Sequence, residues 1–122
     1  AATWQRGFCA HTDGLQGAAT CDTSGVDKGS WRAARAEQCL RKCEACEACV
    51  FVSFDPGDRD CSWYRHCKLG KLKVLRNTWH HTLTVRSGGA IVRPRPLPAL
   101  PPFPSHLPED GTQGYTPYFY KM

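Results

Sequence analysis

The sequence predicts a small disulfide-rich α+β domain, one helix packed on an antiparallel sheet, followed by an extended proline-rich C-terminal arm. Three observations lead there. All eight cysteines of the 122-residue chain fall within the first 67 residues. Cys39, Cys43 and Cys46 lie at i, i+4 and i+7 of a helix-forming stretch, so their thiols share one face that must turn inward. Seven prolines occupy the fifteen positions 94–108, where fixed φ and missing N–H donors rule out a hydrogen-bonded ladder. The expected division is therefore a stapled domain over residues 1–92 and an arm over residues 93–122.

Taken in order, Thr3–Cys9 has strand-like composition, and Cys9 to Cys21 encloses a Gly-rich loop. Residues 22–30 are turn-like, and Ser30 is placed to N-cap a helix from about Trp31 to about Ala45. Ala33, Ala34, Ala36 and Leu40 are good helix formers. Val50–Phe54, rich in β-branched and aromatic residues, predicts a short buried strand. Asp55-Pro56-Gly57-Asp58 is a strong turn signal, after which Cys61–His66 returns antiparallel. Thr82–Arg86 predicts a third strand, ended by Ser87-Gly88-Gly89.

Composition bounds the setting. An even and high cysteine count suits an oxidising compartment, and a core of this size gains much from cross-links. The start Ala1-Ala2-Thr3 is expected of a mature, secreted chain, and no apolar run is long enough to span a bilayer. Residues 1–60 carry nine acidic and seven basic side chains, whereas Cys61 to Pro108 contains no acidic residue and eight basic ones. A one-signed stretch attracts polyanions. Lys68, Lys71, Lys73, Arg76, Arg86 and Arg93 are the expected contacts to an acidic glycan, since nucleic acid is not expected outside the cell. A solvated basic face is the plainer reading of the same residues.

Clustered cysteines suit either a metal or cluster site or a disulfide framework. Cys39, Cys43 and Cys46 have the three-then-two spacing of the radical S-adenosylmethionine cluster motif, and Cys49 adds a fourth thiol. That enzyme type needs a far larger barrel, and four cysteines would be left over. Redox catalysis through Cys43-x-x-Cys46 or Cys46-x-x-Cys49 leaves the same excess. A helix with inward cysteines followed by a hairpin carrying Cys49 and Cys61 instead matches a helix-on-sheet staple. The run from Glu37 to Leu69, EQCLRKCEACEACVFVSFDPGDRDCSWYRHCKL, resembles the core of a PAN/apple-type domain. Cys39 and Cys43 fit its helical pair, Cys49-Val-Phe-Val-Ser-Phe its first strand and Cys61-Ser-Trp-Tyr its second. The resemblance implies the bridges Cys39–Cys61 and Cys43–Cys49, and leaves Cys46 with Cys67 and Cys9 with Cys21. It also implies a non-catalytic module for protein or glycan contact.

Other constellations add little chemistry. His80 and His81, adjacent in a strand, point to opposite faces and do not share an ion. Asp55, Asp58 and Asp60 sit in a turn that could hold calcium, although such turns are more often structural. No nucleophile elbow is present, so no catalytic residue, cofactor or metal is expected. Arg95 to Pro101 has the pattern of a polyproline ligand, but its usual partners are cytosolic. The arm ends in aromatic anchors. Pro98, Pro101, Phe103, Tyr115, Tyr118, Phe119 and Tyr120 are the expected docking residues through which copies self-associate into an extracellular filament. O-linked glycans on Ser105, Thr112 or Thr116 would suit a proline-rich spacer. The alternative is a monomeric recognition module that binds an acidic glycan or a protein through its basic region.

Overall fold

A computed structural model describes residues 3–12, 21, 27–92 and 99–104. Five strands form one antiparallel sheet: β1 (Gln5–Arg6), β2 (Lys28–Arg32), β3 (Phe51–Asp55), β4 (Asp60–Tyr64) and β5 (His81–Thr84). Their order is β1-β5-β3-β4-β2. A nine-residue helix, α1 (Ala36–Glu44), packs on β3, and a two-stranded ribbon joins β6 (Arg86–Ser87) to β7 (Ala90–Ile91).

The two faces of the sheet differ because polarity alternates along each strand. Val52, Phe54, Cys61, Trp63 and Leu83 turn to the helix and bury against Cys39, Leu40, Cys43, Cys46 and Cys49. Ser53, Ser62 and Thr82 alternate with them and meet on the opposite face. Residues 7–12 lie over that second face. Phe8 exchanges backbone bonds of 2.9 Å with Lys73, and Gly7 N–H donates to His80 at 2.8 Å. Gly7 has φ 116°, and a Cβ there would stand 2.8 Å from the Leu72 Cβ and 2.9 Å from the Lys73 carbonyl. Only glycine allows that approach.

The helix begins later than its composition predicts. Ser30 and Trp31 belong to β2, where Lys28 to Arg32 pair with Tyr64 to Asp60, and Trp31 stacks on Trp63 with ring centroids 5.8 Å apart. A continuous ladder outweighs the modest helix propensity of this stretch. Arg35 is the N-cap, and the Gln38 side chain accepts the Ala34 N–H at 2.8 Å, which satisfies one donor at the helix start. Cys46 lies just past the helix rather than within it, in a turn where Cys46 and Cys49 donate to the carbonyls of Cys43 and Cys46. Ser87-Gly88-Gly89 does more than end a strand. Gly88 and Gly89, at φ 60° and 86°, form the two-residue turn of the β6–β7 hairpin, the conformation that strand twist favours.

Four disulfides are present. Cys39–Cys61 fastens the helix to β4, and Cys43–Cys49 fastens it to the residues leading into β3, the two pairings implied by the resemblance. The expected pairs Cys46–Cys67 and Cys9–Cys21 are replaced by Cys9–Cys67 and Cys21–Cys46. The sheet itself separates the expected partners. Cys46 is buried in the helix-side cluster, with Cys21 packed against it. Cys9 lies on the other face, its Sγ 3.8 Å from the Ser53 hydroxyl. The Tyr64 hydroxyl donates to the Ala10 carbonyl at 2.6 Å, holding the segment beside the exit of β4 where Cys67 follows.

Candidate functional site

The second face of the sheet carries hydroxyls where an ordinary core would carry methyl groups. Thr82 donates its proton to the Gly7 carbonyl at 2.8 Å, so Ser53, 2.6 Å away, must be the donor to Thr82. Ser62 donates to Asp60 at 2.8 Å, so the Thr12 hydroxyl, also 2.8 Å from Ser62, must donate to it. Each proton therefore has a defined direction, and the chain that starts at Thr12 ends on the Asp60 carboxylate.

Asp60 is the electrostatic centre. Ser30 donates to its Oδ1 at 2.7 Å, and His80 Nε2 lies 2.9 Å from its Oδ2. Burial alone would raise this carboxyl, but the hydrogen bonds from His80, Ser30 and Ser62 outweigh it and hold the group below the ordinary aspartate range. An ionised Asp60 only accepts, so His80 presents Nε2–H to it. The other imidazole nitrogen faces the Thr78 hydroxyl at 3.2 Å and the buried Asp55 carboxylate at 3.9 Å. Nearby Asp58 is shifted the opposite way, because burial and then the Asp55 charge raise its carboxyl.

These groups line a cleft of about 440 Å³. Ser30, Ser62, Asp60, Tyr64 and His80 contribute polar atoms, and Phe8 contributes an apolar surface. Exposed Arg32, Arg59, Asp58 and His11 also line it. The β2–β4 register sets Arg32 opposite Asp60, and Arg59 (φ 54°) closes the turn before β4. Donors, acceptors and an aromatic face within one concavity suit a polyhydroxylated ligand with an anionic group. Among the described residues, no group of three or more histidine, cysteine or acidic side chains converges on a metal position. Asp55 instead accepts the Gly57 N–H at 2.9 Å, and Asp60 is occupied by its three donors.

The structure scatters the basic residues singled out by sequence. Lys68 and Lys71 are exposed around a short 3-10 turn (Leu69–Lys71), and Arg76 is exposed in the loop before β5. Lys73 is half-buried, with its backbone paired to Phe8. Arg86 is corrected: only 9% exposed, it donates Nη1 to the carbonyls of Cys43, Cys46 and Cys49 at 2.7–2.8 Å and Nη2 to that of Glu44 at 2.7 Å. It caps the negative end of the helix instead of facing a ligand. Arg93, Pro98, Tyr115, Tyr118, Phe119 and Tyr120 lie outside the described residues, as do the candidate O-glycan positions. Pro101 and Phe103 are described, and both pack on Trp79 of the same chain. Sequence reasoning missed Arg32 and Arg59; Arg59 lies between Asp58 and Asp60, which balance its charge along the chain, and Arg32 falls in a stretch that reads as helix.

A helix stapled by Cys39–Cys61 and Cys43–Cys49 to an antiparallel sheet agrees with the family comparison, in which the model of the PAN domain matches residues 12–79, more than half of the chain. The chain belongs to the PAN domain family. No curated protein and no solved structure matches it. PAN domains are generally non-catalytic modules for protein–protein or carbohydrate interaction, and a disulfide-rich PAN domain points to an extracellular location. Among the described residues, no helix is long and apolar enough to cross a membrane.

Proposed function

We propose that this PAN domain is a non-catalytic recognition module for an acidic glycan, bound in the cleft beside Asp60. The observation that carries this reading is the set polarity of the cleft floor. The hydroxyls of Ser30 and Ser62 and the imidazole of His80 are already oriented by Asp60, so a ligand pays little to order them. Sugar hydroxyls meet Asp58 and the hydroxyl edge, a ring face meets Phe8, and a carboxylate or sulfate meets Arg32 or Arg59. The basic stretch from Lys68 to Arg76 then contributes long-range attraction. Titration with a heparin-derived oligosaccharide tests the assignment. Arg32→Ala with Arg59→Ala is expected to weaken binding about tenfold or more, the loss of at least one charge-assisted contact. Lys71→Glu with Arg76→Glu is expected to act mainly on salt dependence. The reverse pattern moves the site to the basic stretch, and no binding by any form discards the glycan reading.

The second reading, an extracellular assembly linked by residues 93–122, is favoured by one observation: Pro101 and Phe103 of the arm dock on Trp79. Removing residues 94–122 would abolish higher-order species in sedimentation under this reading. Normal assembly of the shortened chain would discard it.

A further inference from the structure

Residues 99–104, Ala-Leu-Pro-Pro-Phe-Pro, are the described part of the arm. Three prolines in six positions fix φ and restrict the residues before them to extended backbone. Trp79 Nε1–H donates to the Pro101 carbonyl at 3.2 Å. Phe103 meets the Trp79 ring edge-on, centroids 6.4 Å apart. Leu100 packs against the helix-side core. Gly57, in the β3–β4 turn, supplies bare backbone: a Cβ there would come within 3.0 Å of the Phe103 ring. The indole is itself braced from the domain, with the Arg6 guanidinium 4.1 Å from the ring centroid and Arg6 Nη2 donating to the Thr78 carbonyl at 2.9 Å.

An aromatic ring that offers its N–H to the carbonyl of a proline, beside seats for flanking apolar side chains, is how grooves read polyproline segments. We propose that Trp79, Gly57 and the adjoining core edge form a reading site for a Leu-Pro-Pro-Phe segment, held closed by the chain's own residues 99–104 and open to the same segment of a second copy. The inference deepens the arm-linked reading, naming the segment and the seat that would join two copies, and does not rest on the ligand of the cleft. The second copy is the fitting occupant because its segment repeats every contact that the chain's own segment makes. The seat is also shallow: Phe103 remains 48% exposed, and one indole hydrogen bond anchors it. Tethering gives the chain's own segment an effective concentration in the millimolar range, so exchange emerges as protein concentration rises.

The test uses full-length chains and a labelled peptide, Ala-Leu-Pro-Pro-Phe-Pro. Phe103→Ala weakens the internal competitor, which keeps only Leu100 and the Pro101 carbonyl, and leaves the groove, so this variant is expected to bind the peptide about tenfold more tightly than the unmodified chain. Adding Trp79→Phe, which keeps an aromatic ring but loses the N–H and part of the ring surface, is expected to weaken that binding about fivefold or more. In sedimentation, the unmodified chain should form concentration-dependent dimers that Phe103→Ala lacks. An unmodified chain that stays monomeric at every concentration would overturn the second-copy occupant, even if the peptide binds. Equal peptide binding by the unmodified and Phe103→Ala chains, or none, would overturn the groove itself. Glycan titration of the Phe103→Ala chain should be unchanged, so failure here and failure of the cleft reading are distinguishable.

Discussion

Replacing Arg86 with methionine would keep much of its volume but take a charged donor from four carbonyl oxygens, those of Cys43, Glu44, Cys46 and Cys49, of which Cys43 and Cys46 keep only a backbone N–H. Three of them crowd Nη1. Because unmade buried hydrogen bonds to a charged group are costly, the variant is expected to lose about 3 kcal/mol or more in denaturant unfolding. A lysine, with a point charge and no planar fork, should recover only part of this. His81 gives a pH signature of the opposite kind. It is buried against Trp79, and burial, with help from the Arg6 charge and against the pull of the Trp79 carbonyl, pushes its imidazole below the usual histidine range. A depressed folded pKa means stability that is present above the unfolded value, about 6.5, and lost as pH falls through the folded value. The melting temperature should therefore drop on acidification from pH 7 to pH 5, and a His81→Asn chain should show a flatter profile over that interval. Arg86 itself was misread in the sequence for a simple reason: a positive charge in a basic stretch looks like surface until the helix end it caps is known.

Among the elements, β3, β4 and the turn between them were legible because a run rich in β-branched and aromatic residues and Asp-Pro-Gly-Asp are local signals. The start of α1 was not, since Trp31 to Arg35 carry helix-forming alanines and arginines whose fate depends on pairing with β4. The β6–β7 hairpin was hidden in a tripeptide that also reads as a plain stop signal. Its turn is testable in isolation. Gly89→Val forces a β-branched residue to φ 86°, an unfavourable left-handed conformation. The expected outcome is loss of hydrogen-exchange protection at the Val92 amide, which donates to the Val85 carbonyl at 2.8 Å, with little change in the protection of β3.

At the scale of the whole molecule, the disulfides divide the stabilisation unequally. Cys9–Cys67 spans a separation of 58 residues and Cys43–Cys49 one of 6. On the chain-entropy account, removing the first by paired Cys→Ala substitution should cost about 4 kcal/mol and the second about 2 kcal/mol. Paired thermal melts at fixed pH would read the order directly, and equal losses would contradict it. The cleft, by contrast, could not be seen in the sequence. Its walls come from the segment before β2, from β2 itself, from the turn into β4 and the outward side chains of β4, and from the loop that leads to His80, so only the sheet order brings them together. The cysteine pairing failed in part for the same reason, because it needed to be known which face each thiol occupies.

The ordered hydroxyls behind that cleft give the molecule a built-in clock. Ser53 and Thr82 are fully buried; the Thr82 proton points to the Gly7 carbonyl and the Ser53 proton to Thr82, with the Cys9 sulfur a longer contact at 3.8 Å. Hydroxyl resonances normally vanish into the water signal by rapid exchange. Here both should persist in proton spectra, and their lifetimes would time how often residues 7–12 lift from the sheet without any label or substitution.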